Sequence, residues 1–168
     1  NCSKDVRKAF INLKEQGAKT LILDLRDNHG GLLTEAVDIV NLFVPKGLTI
    51  VETRGKLLAA SSKYVTNNEP LDLDVPIVVL VNKETASAAE IVAGALQDLD
   101  RAVIVGNSTF GKGLVQSPRD LPYNGSIKLT TAKYYIPSGR CVQAIDYKKE
   151  REAAELYRTT GKRINTKD

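Results

Sequence analysis

Two side chains in this sequence have the chemistry of a reacting pair, a serine at position 87 and a lysine at position 112. Ser87 lies within residues 75–100, VPIVVLVNKETASAAEIVAGALQDLD. There an apolar run bounded by Pro76 and Asn82 predicts a buried strand, and the alanine-rich run after Thr85 predicts a helix. A hydroxyl at that handover lies near the free N–H groups of the helix's first turn, whose partial positive charge stabilises an alkoxide or oxyanion. Serine is a weak nucleophile at neutral pH and needs a base within hydrogen-bond reach. The only histidine, His29, falls in a loop with no evident base role. Lysine is the alternative, provided desolvation or neighbouring positive charge lowers its pKa. Lys112 is the best candidate, because Gly111 and Gly113 flank it directly after a second apolar strand at residues 102–105.

The elements that must position this pair can be read in order. Ser3 is placed to cap a helix whose apolar positions Val6, Ala9, Phe10 and Leu13 share one face, with Gly17 as its stop. Residues 20–25, TLILDL, read as a buried strand, followed by the loop RDNHGG at 26–31. Its two glycines allow close backbone approach or positive φ. A second helix is expected from about Thr34, carrying Ala36, Ile39, Val40 and Phe43 and ended by Pro45-Lys46-Gly47. Residues 48–54 suit a strand, and the polar stretch 55–69 suits a hairpin or a flap. Beyond the Lys112 loop, Asn124-Gly125 is a two-residue hairpin signal, with 126–136 as the returning strand. Pro137-Ser138-Gly139 turns the chain into a short strand at 141–145, and the charged tail, 148–168, reads as a surface helix fraying near Gly161. Strands alternating with helices indicate an α/β fold with a mostly parallel sheet and a late antiparallel hairpin.

Composition narrows the function. A chain of 168 residues with 42% hydrophobic content is read as one domain with a sizeable core. The net charge of +4 is spread among nearly as many acids as bases, without basic runs interleaved with aromatics, which argues against nucleic acid as a partner. The longest apolar runs are about half a membrane span. Cys2 and Cys141 supply neither a disulfide framework nor a metal site, and no cofactor or metal is expected.

Each motif has a plainer explanation. Serine at a helix start is usually a cap, a task Thr85 could also perform, and a lysine between glycines is usually solvated. RDNHGG fits an ordinary turn. The three loops gain weight together because each follows a predicted buried strand, and in parallel α/β sheets such loops gather at one edge where sites form. Residues 106–113, GNSTFGKG, also match the GxxxxGK of a phosphate-binding loop. Against nucleotide binding stand Gly113, where a hydroxyl should hold magnesium, and a proline and hairpin turn where the helix should begin.

The segments LILDLRDNHGG, VNKETASAAEIVAGALQD, STFGKGLVQ and KLTTAKYYIPSGR closely resemble the peptidase core of the carboxyl-terminal processing, or tail-specific, proteases, from about residue 20 to 143. The resemblance implies a ClpP/crotonase-like peptidase core and a serine–lysine dyad with Ser87 as nucleophile, Lys112 as general base and Gln116 orienting the lysine. It further implies an oxyanion hole of backbone amides from Ala88 and Gly31, with Gly30 as the alternative. His29 stands where such proteases often have proline, which alters loop rigidity and leaves the amides available. The implied substrate is a protein or peptide cleaved near its carboxyl terminus. The implied remainder of the chain is a PDZ domain, earlier core segments and an export signal to the periplasm or cell envelope. On this reading 1–168 is a catalytic-core segment, and its exposed edges favour homo-oligomers or strand exchange. The rival of another class is a catalytically silent binding module that keeps the fold and groove.

Overall fold

The computed structural model describes residues 1–160, so the fraying expected near Gly161 lies outside the described residues. In chain order the elements are α1 (Cys2–Glu15), β1 (Leu21–Asp24), α2 (Leu33–Asn41), β2 (Thr49–Gly55), a 3-10 turn (Leu58–Ala60), β3 (Ser62–Val65), β4 (Ile77–Val81), α3 (Ala88–Asp98), β5 (Val103–Gly106), β6 (Leu114–Leu121), β7 (Gly125–Tyr135) and α4 (Tyr147–Thr160). β1, β4 and β5 form a parallel sheet with β4 in the centre. The late hairpin β6–β7 is larger than a local unit: β2 pairs with β7 and β3 with β2, giving a four-stranded antiparallel sheet.

Alternation along β4 sets the core. Ile77, Val79 and Val81 are buried in one cluster with Val40 and Phe43 near α2 and Ile91 and Leu96 of α3. The opposite face, where Ile22 shares a row with Val78 and Val103, and Leu80 with Val105, leaves Ile22, Val103 and Val105 exposed. At the amino end of β4 a brace of charged groups ties the layers. The Arg101 guanidinium donates to the carbonyls of Phe43 at 2.7 Å, Val75 at 2.7 Å and Asp72 at 3.3 Å, and Lys14 meets the Asp72 carboxylate at 2.9 Å.

Four expectations shift. Ser3 is no cap: α1 starts two residues earlier with Asn1 at its N-cap, and Ser3 is buried with its N–H donating to Glu35 Oε2. α2 ends at Asn41, before Pro45: the N–H groups of Leu42 and Phe43 turn to the carbonyls three residues back, Ile39 and Val40, and the Asn41 side chain binds the backbone of Asn67 and Asn68. The hairpin turn sits one residue earlier than the Asn-Gly pair suggests, with positive φ at Tyr123 and Asn124 and Gly125 already opening β7. Residues 141–145 form no strand. Cys141 makes a single bridge to Tyr135, and the rest is irregular chain held by specific hydrogen bonds.

Candidate active site

The carboxyl ends of β1, β4 and β5 lie side by side, and their loops are bonded to one another. From the β1 loop, the carbonyl of Asn28 accepts from Ala86 N–H at 2.9 Å, and Asp27 and Asn82 exchange two bonds, 3.0 Å to the Asp27 N–H and 2.9 Å between side chains. The fully buried Thr85 hydroxyl donates to the Leu25 carbonyl at 2.7 Å, so Thr85 bridges the loops and does not cap the helix. From the β5 loop, Phe110 N–H donates to the Thr85 carbonyl at 3.0 Å. The strand ends fix the spacing, and these bonds fix the orientation.

Ser87 is the N-cap residue of α3 and is held at φ 57, ψ −120. A positive φ is uncommon for a residue with a side chain and persists only where the surroundings enforce it. Glu90, one turn into α3 and 3% exposed, supplies that enforcement. Its Oε2 accepts from the N–H groups of Ser87 at 2.7 Å and Lys112 at 2.8 Å, and its Oε1 from the Thr109 hydroxyl at 2.7 Å and the Gly111 N–H at 2.6 Å. One buried carboxylate thereby joins the backbone of the candidate nucleophile to that of the candidate base. The pattern Ser-Ala-Ala-Glu is a capping-box signature, and that signal would have marked Glu90 in the sequence.

Gly30, at φ +91, packs directly against the serine: a Cβ there would lie 2.6 Å from the Ala86 carbonyl oxygen, 2.8 Å from Ala88 N and 2.9 Å from Ser87 Cβ. Its N–H is already taken by Asn28 Oδ1 at 2.9 Å. Among the described residues, the N–H groups of Gly31 and Ala88 have no protein acceptor. Both residues border a cleft of about 460 Å³ that is lined mostly by apolar side chains, including Leu23, Ile39, Ala89 and Val92. Two unspent donors beside an apolar cleft can hold a developing oxyanion.

Lys112 follows Gly111, whose φ of +81 and contact with Ala144 leave no room for a side chain. Its own side chain is exposed and has neither hydrogen bond nor ion pair among the described residues. Its backbone is fixed while its ammonium is left to water, so these residues do not supply the dry setting a neutral lysine requires. Gln116 lies exposed on β6, at an irregularity in the pairing with β7, and makes no hydrogen bond to Lys112. His29 is exposed in the β1 loop. After Lys112 the chain enters β6 and not a helix, so a phosphate at residues 106–113 would find no helix dipole. Among the described residues no group of three or more His, Cys, Asp or Glu is gathered to hold a metal ion, and no helix is long and apolar enough to cross a membrane.

The sequence model of peptidase family S41 matches residues 1–150. A carboxyl-terminal-processing protease of Synechocystis sp. is 49% identical over 137 residues, a match covering 82% of this chain and 31% of that protein. A carboxyl-terminal-processing peptidase 1, chloroplastic, of Arabidopsis thaliana is 41% identical over 135 residues, covering 80% of this chain and 27% of that protein. Among solved structures, a photosystem II D1 C-terminal processing protease superposes with a TM-score of 0.77 at 37% identity over 85% of this chain and 36% of its own. The chain thus spans about a third of the length of these relatives.

Proposed function

Because the chain belongs to peptidase family S41, we propose that it is the catalytic core of a serine endopeptidase that cuts protein chains near their carboxyl termini through Ser87 and Lys112. The observation that carries this reading is the Glu90 carboxylate, which binds the Ser87 and Lys112 backbones together while the Gly31 and Ala88 N–H groups beside the cleft stay unspent. In the reaction, neutral Lys112 takes the Ser87 proton as Oγ bonds to the scissile carbonyl carbon, and the negative charge moves to the carbonyl oxygen. That oxygen is stabilised by the N–H groups of Gly31 and Ala88. Gly30 is the less suitable second donor, since its N–H already serves Asn28. The lysine then gives its proton to the leaving amine, the carbon–nitrogen bond breaks, and an acyl-serine remains. Water, deprotonated by the same lysine, attacks the ester and releases serine.

A lysine serves as a base once it is stripped of water, so the bound, extended substrate is assigned the role of drying Lys112. Gln116, four residues along the chain, then orients the amine. The partner implied is the carboxyl-terminal region of an unfolded or extended polypeptide, delivered by a PDZ domain of the full-length chain, outside the cytoplasm in the periplasm or cell envelope. Names of the relatives support the substrate class: the Synechocystis and Arabidopsis proteins are called carboxyl-terminal-processing enzymes, and the structural neighbour is named for D1 processing.

The test uses the full-length protein and a fluorophosphonate probe, which labels an activated serine. Labelling is expected on Ser87, with loss of both labelling and turnover of an unfolded protein by about 10⁴-fold in Ser87→Ala and Lys112→Ala. An intact, folded protein that neither labels nor cleaves is instead the silent binding module.

A further inference from the structure

The Lys112 side chain has no partner among the described residues, so its direction is set by how its backbone is held. One side of that backbone belongs to Glu90. The other belongs to a strap, residues 137–145, that lies across both flanking glycines. Gly113 N–H donates to the Gln143 side-chain Oε1 at 2.8 Å, Ala144 N–H donates to the Gly111 carbonyl at 3.1 Å, and Gly113 is pressed so closely on Gln143 that a Cβ would run into its backbone. Gln143 is itself oriented by its Nε2, which donates to the Ile145 carbonyl at 3.3 Å. The strap begins at a firm anchor. Asp98, with a side chain only 6% exposed, accepts from Ser138 N–H at 2.9 Å and pairs with Arg140 at 3.0 Å, and Arg140 also donates to Gln97 at 2.6 Å. Gln97 and Asp98 close the helix that Ser87 opens. One helix thus fixes the serine at its start and, through its end, the strap that backs the lysine.

We infer that Gln143 is a positioning residue for Lys112, acting through the Gly113 N–H to hold the lysine loop against the serine. The inference rests on the reading of Lys112 as the base. A glutamine is suited to the task because its amide accepts from the loop with one atom and fixes its own rotamer with the other. Removing the acceptor while keeping length and packing leaves the Gly113 N–H unpaired and the strap joined to the loop by the Ala144–Gly111 bond alone, and small misplacements of a reacting group lower turnover more than binding.

In the full-length enzyme, Gln143→Met removes the acceptor and keeps the bulk, whereas Gln143→Glu keeps an acceptor oxygen facing Gly113. The expected result is a fall in kcat of about tenfold in the methionine variant with KM within about twofold, and kcat within about threefold of the parent in the glutamate variant. Melting temperatures should differ little, since Gln143 is only half-buried. An unchanged kcat in Gln143→Met overturns the inference, as does an equal loss in both variants that follows the melting temperature. Lys112→Ala measured alongside separates the two levels: if it retains turnover, the lysine reading fails, and the role of Gln143 falls with it.

Discussion

At the two ends of β4 the chain spends its polar groups in opposite ways. At the amino end, Arg101 is used up on three carbonyls and Asp72 on Lys14 and the N–H groups of Asp74 and Val75. A hollow of about 590 Å³ lies there, and of the charged groups that edge it Lys14 and Asp72 are paired with each other. At the carboxyl end, the Lys112 ammonium and the N–H groups of Gly31 and Ala88 have no partner among the described residues, and Ser87 is held at a positive φ. Saturated charge ties layers together, whereas unsatisfied groups on a fixed backbone remain free to meet a substrate.

Substituting the central polar group of each end tests this contrast most severely. Glu90→Gln keeps the shape, but four donors converge on the carboxylate and an amide must turn its NH₂ toward at least one of them. Leaving buried donors unpaired is expected to lower stability by about 2–4 kcal/mol and, because Ser87 and the Lys112 loop lose their shared anchor, turnover by about 10²-fold or more. Arg101→Ala should lower stability by about 3 kcal/mol, since three carbonyls lose a charged donor, with kcat of the folded enzyme unchanged. Chemical denaturation together with kcat on the same samples checks both. Equal kcat losses in the two variants would erase the distinction between the ends.

Next in size is a comparison within one loop. Gly30→Ala must hold a side chain at φ +91 and push against Ala86, Ser87 and Ala88, so both stability, by about 2 kcal/mol, and turnover are expected to drop. Gly31→Ala meets nothing within 4 Å and keeps its N–H, so it should stay folded and active to within a few fold. Thermal melts and rates on the two variants decide whether Gly30 supplies space and Gly31 supplies a donor.

Much of this arrangement was legible in the sequence where local chemistry decides structure. Pro76 and Asn82 bracket five apolar residues, and β4 occupies those five; the alanine-rich run becomes α3, and the three loops do gather at one sheet edge. Groups whose role depends on distant partners were not legible. The capping box marks Glu90 as a partner of Ser87, but its bonds to the residue 109–112 loop have no local signal, and Arg101 looks like a surface charge at a helix end until Phe43, Asp72 and Val75 come to it. The pairing of β2 with β7 joins residues some 80 positions apart, which no local pattern encodes. The strap at 141–145 has strand-like residues but finds side-chain and loop partners in place of a ladder. The joining of the Lys112 backbone to that of Ser87 through Glu90 belongs to the same class, because it depends on partners 22 residues apart in the chain.

The smallest effect concerns two aspartates whose carboxyls are both held near a pKa of about 2, against an ordinary 3.8, for different reasons of place. For Asp72 the chief cause is the hydrogen bond from Lys14, followed by the Val75 N–H; for Asp24 it is the Arg26 side chain and then its N–H. In each case the unfolded chain takes up its proton first as the pH falls. The stabilisation is therefore complete above about pH 4 and disappears between 3.8 and about 2. The Asp72 side chain is 13% exposed and the Asp24 side chain 47%, so water and salt screen the Asp24 pair more strongly. Asp72→Asn should accordingly cost stability at pH 7, by about 1 kcal/mol or less, and nothing at pH 2, with little change on adding salt. Asp24→Asn, at the open end of the sheet, should cost less at pH 7, and added salt should remove that cost. Melting midpoints of the parent and both variants at pH 7 and pH 2, with and without salt, provide the check. If both aspartates responded to salt alike, charge at the amino end of β4 would be no better sheltered than charge at the site.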